Sequence, residues 1–364
     1  MSDPAIVTYQ SLPTRVLFGK GALGELKALA AELGVRRAMI VCTRSQQPVV
    51  ARAQAILGEA AAAVFAGAVM HTPVEVTEEA LKALQAERID GLVSIGGGSA
   101  IGLAKALALR TDLPQIAVPT TYAGSEMTPI LGQTEAGRKT TQRSLKVLPE
   151  AVIYDIELSL NLPLPVSITS GFNAMAHAVE ALYAKSPNPL LLAVSEEAVR
   201  VMARALPHIV IDPTDEQARS EALEGGWLGG WALAHGGSAL HHRLCHVLGG
   251  AFDLPHAETH TVLLPQVLAF NAPAAPEAML RLERALVAPN PAEALSDLAS
   301  SLGAPRALKD IGMPESGIDE AVGLILADPP WNPRPIEEAP LRELLRRAWA
   351  GDPPRAPKPR RGLL

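Results

Sequence analysis

The chain changes texture once, near residue 160, and that change limits the folds open to it. Before it, short apolar runs at 38–42, 91–95, 115–118 and 151–154 read as buried strands, with a more ambiguous alanine-rich run at 60–68. Residues 78–88 between them read as an amphipathic helix. Strands that alternate with helices argue for a parallel sheet covered on both faces. Past residue 160, alanine, leucine and glutamate dominate and β-branched runs vanish. Gly or Pro clusters at 186–189, 225–226 and 236–237 read there as breaks between helices. The expected organisation is an α/β domain over 1–160, an all-helical domain over 161–350, and a disordered Pro- and Arg-rich tail over 351–364.

Composition narrows the class. Of 364 residues, 48% are hydrophobic, enough for a large core, but only 4% are aromatic, so alanine, leucine and valine must fill it. The net charge of −6, with no basic block before the last few residues, argues against nucleic acid as the main partner. Cys42 and Cys245 lie far apart, outside any metal spacing, and read as reduced thiols. The start, MSDPAIVTYQSLP, lacks the charged and apolar regions of a signal peptide, and no run approaches the ~20 apolar residues of a membrane span. The expectation is a cytoplasmic protein with no membrane partner.

Three stretches carry chemistry. The strand at 91–95 runs into Gly96, Gly97, Gly98 and Ser99 and then a helix, where backbone amides and the helix dipole could receive a pyrophosphate. A glycine triplet alone is equally a tight turn that binds nothing. Thr120, Thr121 and Ser125 follow the strand at 115–118, at the end where open α/β sheets bind ligands. Together the two loops favour a dinucleotide crevice. The third stretch is histidine-rich: six of the nine histidines fall in HGGSALHHRLCHVLGGAFDLPHAETH, residues 235–260. Asn173 and His177, like His242 and His246, are four apart and share a helix face, and His256 adds an imidazole from a neighbouring turn. Such a cluster is a metal site or the remains of one. Any one histidine is more often an ordinary core or surface residue, and His71, His208 and His235 are left as such.

In their order along the chain, these segments resemble the iron-containing alcohol dehydrogenase superfamily. The resemblance covers residues 5 to about 345. Within that superfamily, five stretches look like the maleylacetate reductase branch: residues 119–128, 137–140, 170–174, 241–250 and 254–260. Residues 331–335, WNPRP, add a weaker echo. The resemblance implies a dehydroquinate synthase-like fold, a glycine-loop nucleotide domain joined to a helical domain with the active site between them. It implies that Gly96, Gly97, Gly98 and Ser99 hold the pyrophosphate, that Thr120, Thr121 and Ser125 line the nucleotide and nicotinamide, and that Lys139 reaches the ribose. The superfamily's metal ligands, one Asp and three His, map to Asn173, His177, His242 and His256. The amide is a weaker, uncharged ligand. The expectation drawn from it is a vestigial site and no required metal.

The activity implied is reduction of the C=C of maleylacetate to 3-oxoadipate by NADH or NADPH in aromatic-compound degradation. Hydride addition β to the ketone leaves an enolate, and histidine is the natural general acid near neutrality. His242 and His246 are the first candidates for catalysis, with His177 and His256 beside them. Asn173, Tyr122, Arg243 and His241 are candidates for the dicarboxylate substrate. Thr43, which follows the strand at 38–42, belongs to the cofactor set. No carboxylate follows that strand, and Arg44 could pair a 2′-phosphate, so use of both cofactors is expected. The family suggests a homodimer. The competing readings are a metal-dependent alcohol or hydroxy-acid dehydrogenase of the same fold, a silent nucleotide-binding protein, and a metal store. The histidine spacing serves one closed site and disfavours the last.

Overall fold

The computed structural model describes residues 9–135 and 138–355, with backbone alone for 138 and 139. Six parallel strands form the main sheet in the order β1-β8-β5-β4-β2-β3. They are β1 (Arg15–Gly19), β2 (Ala38–Cys42), β3 (Ala61–Phe65), β4 (Gly91–Gly96), β5 (Gln115–Pro119) and β8 (Ala151–Asp155). An antiparallel hairpin, β6 (Ile130–Glu135) and β7 (Arg138–Arg143), stands apart from the sheet. The four central strands are buried along their whole length, as parallel strands covered on both faces must be.

Alternation along each strand divides the sheet's two cores. Ile40, Cys42, Val93 and Ile95 face α1 (Leu26–Glu32) and α2 (Gln47–Leu57). Met39, Val41 and Leu92 face α3 (Val74–Ala86) and α4 (Gly98–Thr111). The chain leaves β2 for β3 on one side and returns to β4 on the other. The resulting crevice at the carboxyl ends of β2 and β4 is where such sheets take ligands.

From residue 164 the described chain is helical: α5 (Leu164–Leu182), α6 (Pro189–Ile211), α7 (Glu216–Gly236), α8 (Leu240–Phe252) and α9 (His256–Asn271) build the part that meets the crevice. Then α10 (Pro276–Leu286), α11 (Pro291–Ser301), α12 (Gly317–Ala327) and α13 (Glu338–Ala350) pack outside them. Two of the expected breaks separate helices. Asn188 caps α6, and Gly237, at φ 74°, ends α7. The third does not, because Gly225 and Gly226 lie inside α7. A Cβ on Gly225 would stand 2.9 Å from Met202, and one on Gly226 would stand 2.8 Å from the Tyr122 carbonyl. The glycines there allow close packing.

The first residues of the expected tail are packed. The Asp352 carbonyl accepts from Gln266 Nε2 at 2.7 Å, and Pro354 is buried. Residues 356–364 lie outside the described residues. The WNPRP segment holds the far end of α9, with Asn332 paired to Asn271 and the Arg334 guanidinium over Phe270. That is a helix length away from His256.

Candidate active site

Between the sheet's carboxyl edge and the helical part lies a cleft of about 980 Å³. At one end Gly97, Gly98 and Ser99 open α4, with Thr43 at the end of β2 beside them. Gly96 has φ 141°, reachable without strain only by glycine, and its carbonyl accepts from the Thr120 amide at 3.1 Å. A side chain on Gly97 would collide with Thr121, at 2.9 Å. The glycine loop and the hydroxyl loop are thus pressed together, and Thr120, Thr121 and Ser125 also line the cleft. The Lys139 side chain lies outside the described residues.

A lysine that sequence reasoning passed over ties these loops. Lys105 of α4 is buried, and its Nζ donates to the carbonyls of Ser125, Thr128 and Ile130 and to the Thr128 hydroxyl, at 2.5–3.1 Å. Burial pushes its pKa down to about 7, opposed by the nearby Glu126. Glu126 is buried too, which raises its pKa, and accepts from the Tyr154 hydroxyl at 2.7 Å. Lys105 ends the glycine-loop segment, and that position was its one visible cue.

At the other end of the cleft stand Asn173, His177, His242, His246 and His256. Helix α5 supplies the first two, α8 the next two, and α9 begins with the last. The rings of His177 and His242 stack with centroids 5.0 Å apart, and those of His246 and His256 with centroids 6.1 Å apart. His242 Nδ1 lies 2.6 Å from a carboxylate oxygen of buried Glu180, which leaves Nε2 facing the cleft. Glu180 follows His177 by three residues on the same helix, a spacing visible in the sequence but not used. Burial, and then the nearby His242 and His246, hold His177 well below the usual imidazole range, so it presents a neutral ring.

Three expected substrate contacts do not reach the cleft wall. The Tyr122 hydroxyl accepts from Arg219 Nη1 at 2.8 Å, and the ring packs in the helical core. Arg219 is fully buried and drew the tyrosine inward. Arg243 pairs with Asp328 at 2.8 Å on the outer side of α8. His241 is buried behind His242, with Nε2 2.8 Å from His260 Nδ1. Neighbours on a helix point about 100° apart, so adjacency to His242 did not bring His241 and Arg243 to the site. His71, set aside on sequence, does line the cleft.

Two family models match the chain: "Iron-containing alcohol dehydrogenase" over residues 13–156 and "Fe-containing alcohol dehydrogenase family, C-terminal" over residues 167–349. The chain belongs to the iron-containing alcohol dehydrogenase family. Among its relatives there, it is 50% identical over 346 residues to the maleylacetate reductase of Sphingobium indicum, covering 95% of this chain and 98% of that one. It is 46% identical to maleylacetate reductase 1 of Rhodococcus opacus, covering 94% and 96%. The crystal structure of maleylacetate reductase from Agrobacterium tumefaciens superposes with a TM-score of 0.92 at 48% identity, covering 96% and 100%. An iron-containing alcohol dehydrogenase from Corynebacterium glutamicum gives 0.91 at 42% identity, covering 95% and 98%.

Family membership corrects the expectation that no metal is required. The family is defined as iron-containing. The donor set here also fits a cation. Asn173 Oδ1, His177 Nδ1 and His242 Nε2 are buried without a hydrogen-bond partner. Leaving a buried polar atom unsatisfied costs roughly 1–3 kcal/mol, so three on neighbouring side chains of the cleft wall suit a bound cation. Exchange of a carboxylate for Asn173 removes charge but keeps an oxygen donor. Behind them, His241, Cys245 and His260 place one donor atom each within 4.8 Å of one another and could also hold a metal.

Proposed function

We propose that the chain is a maleylacetate reductase that uses NADH or NADPH to reduce the C=C of maleylacetate to 3-oxoadipate, in aromatic-compound degradation. The observation that carries this is the 50% identity to the Sphingobium enzyme over 95% of the chain. The glycine-loop end of the cleft receives the pyrophosphate on the open amides of α4. The nicotinamide then lies past Thr121 and Ser125, toward the imidazoles. Hydride adds to the alkene carbon β to the ketone, and the electron pair moves into an enolate. His246 returns a proton to the adjacent carbon, and a water proton restores the imidazole. It is one helical turn from His242 and on the cleft wall. Asn173, His177, His242 and His256 are the residues that would hold the cation, which would draw charge from the substrate's ketone oxygen. Glu180 fixes the His242 ring for that task.

Thr43 and Ser45, which follow β2 on the cleft wall, bring hydroxyls and no carboxylate, and the nearby Glu157 is paired with Arg52, which supports use of either cofactor. β1 is one of the two edge strands of the sheet among the described residues, an edge that needs covering, which supports a homodimer. Dependence on a pyridine nucleotide supports a cytoplasmic place of work. No helix among the described residues is long and apolar enough to cross a membrane.

The test is oxidation of NADH, and separately NADPH, by purified protein with maleylacetate, the product identified by mass. Stoichiometric 3-oxoadipate is the expected result. Reduction of simple carbonyls with no reduction of the alkene would overturn the reading and leave an alcohol or hydroxy-acid dehydrogenase.

A further inference from the structure

The part of the cleft wall that comes from the sheet domain carries one histidine, His71. Its φ is 65°, and the next residue, Thr72, has φ 45°. Two successive non-glycine residues in the left-handed region are uncommon and strained, and they persist where the surroundings impose them. Here the surroundings do so from two sides. Thr72 sits against Gly102 of α4, where a Cβ would stand 2.5 Å from the threonine hydroxyl. On the other side, the Thr72 carbonyl accepts from the Thr134 amide, and Pro73 bridges to Thr134 of β6. Wedged in this way, His71 reaches toward the helical part, with Nε2 3.8 Å from Asp253 Oδ1 at the end of α8. The His71 side chain is 16% exposed and that of Asp253 is 92% exposed.

Among the described residues, the lysine and arginines nearest the cleft are engaged elsewhere. Lys105 is surrounded by four oxygens, Arg52 pairs with Glu157 at 2.9 Å, and Arg243 faces away. Among the described residues, the groups left to meet a substrate with two carboxylates are imidazoles and neutral donors. His177, His242, His246 and His256 gather at the reacting end, and His71 stands on the opposite wall.

We propose that His71 donates a hydrogen bond to the substrate carboxylate remote from the reacting alkene and sets the preference for dicarboxylates. This rests on the reading of the reaction given above. Asp253 already holds a carboxylate oxygen near Nε2, at a distance longer than a hydrogen bond and on an exposed side chain. Such contacts are weak, so the substrate's carboxylate displaces it at little cost. The strained loop then has a purpose, since it fixes the imidazole before substrate arrives.

The experiment compares H71A, H71N and D253N with the natural protein. Asn tolerates the left-handed backbone, so H71N keeps the loop's geometry while its shorter side chain falls short of the carboxylate. For both His71 variants the KM for maleylacetate should rise about ten-fold or more, while the KM for NADPH and kcat stay within about two-fold. Adipate should lose inhibitory strength in parallel, and hexanoate, with one carboxylate, should not. D253N should leave the substrate KM unchanged or lower it, because a competing acceptor is gone. Unchanged maleylacetate KM and adipate inhibition in H71A would overturn the proposal. So would a rise in KM for D253N matching that of H71A, the signature of a mere latch between the two walls. Binding of adipate and hexanoate to the NADPH-loaded protein is measured as well. Absence of maleylacetate turnover in the natural protein would then sink the reaction assignment while the role of His71 is still decided.

Discussion

His242 Nδ1 and Glu180 Oε2 lie 2.6 Å apart, and the same carboxylate accepts the backbone amides of Ala239 and His241, each at 2.7 Å. One buried acid on α5 therefore sets the start of α8, the orientation of His242 and its tautomer. With the proton on Nδ1, the Nε2 lone pair faces the cleft.

Replacing Glu180 should be felt at the site before it is felt in the fold. In E180Q one of the three donors meets an NH₂ group, and the charge that favours the Nδ1–H tautomer is gone. The expected outcome is a 10–100-fold loss in kcat or in affinity for a divalent cation. E180A leaves three buried donors unpaired and should also lower Tm. Steady-state kinetics and Co(II) titration on E180Q check the first claim. A variant with natural kinetics and natural Co(II) affinity would show that the carboxylate is structural only.

N173D restores a charged oxygen beside His177 and His242. A carboxylate binds divalent cations more strongly than an amide, so affinity for Fe(II) or Zn(II) should rise about ten-fold or more. Calorimetric titration of metal-depleted protein reads this directly. Equal affinities for the two proteins would mean that position 173 does not meet the cation.

Much of the frame was legible because central parallel strands are buried on both faces, which leaves continuous apolar runs such as 38–42 and 151–154. Edge strand β1 and the hairpin were not legible. β1 is half-exposed, and β7 reads RKTTQR, with no apolar residue to betray it. Helical spacing marked Asn173, His177 and His242, but nothing in the local sequence marks Glu180 and Lys105 as buried. Their burial comes from α8 packing on α5 and from the 125–130 loop folding over α4, neither of which is written locally. Tyr122 fails for the same reason in reverse, since Arg219, 97 residues away, decides where its hydroxyl points.

Lys105 should give the stability of the protein a pH signature. Its pKa is about 7 in the folded chain and near 10.5 when unfolded. Between these values the unfolded chain holds a proton that the folded chain lacks, so this group's contribution to stability rises as pH rises from about 7 toward 10.5. The slope is at most ~1.4 kcal/mol per pH unit. K105M removes it. The stability difference between natural protein and K105M, from urea unfolding at pH 6, 7.5 and 9, should grow across the last two points. A flat difference would mean that the four surrounding oxygens keep the ammonium charged throughout.

A final prediction concerns the loop that carries Ser125. Gly230 of α7 packs so tightly on it that a Cβ would stand 2.1 Å from the Gly124 carbonyl oxygen. Gly124 is itself at φ 78°, so both partners are backbone and neither can turn aside. G230A must push the loop or the helix, at a cost of roughly 1–3 kcal/mol or more. The hydroxyl loop forms one wall of the cleft proposed to take the cofactor, so on that proposal NADPH affinity should fall together with Tm. Gly323, inside α12, is the control, because nothing lies within 4 Å of its Cβ position. G323A should gain about 0.5–1 kcal/mol from helix propensity and leave cofactor binding alone. Should G230A bind NADPH as tightly as the natural protein, the contact between α7 and the loop would be a matter of packing alone, and the cofactor wall would have to be set by Lys105 without help from the helical half.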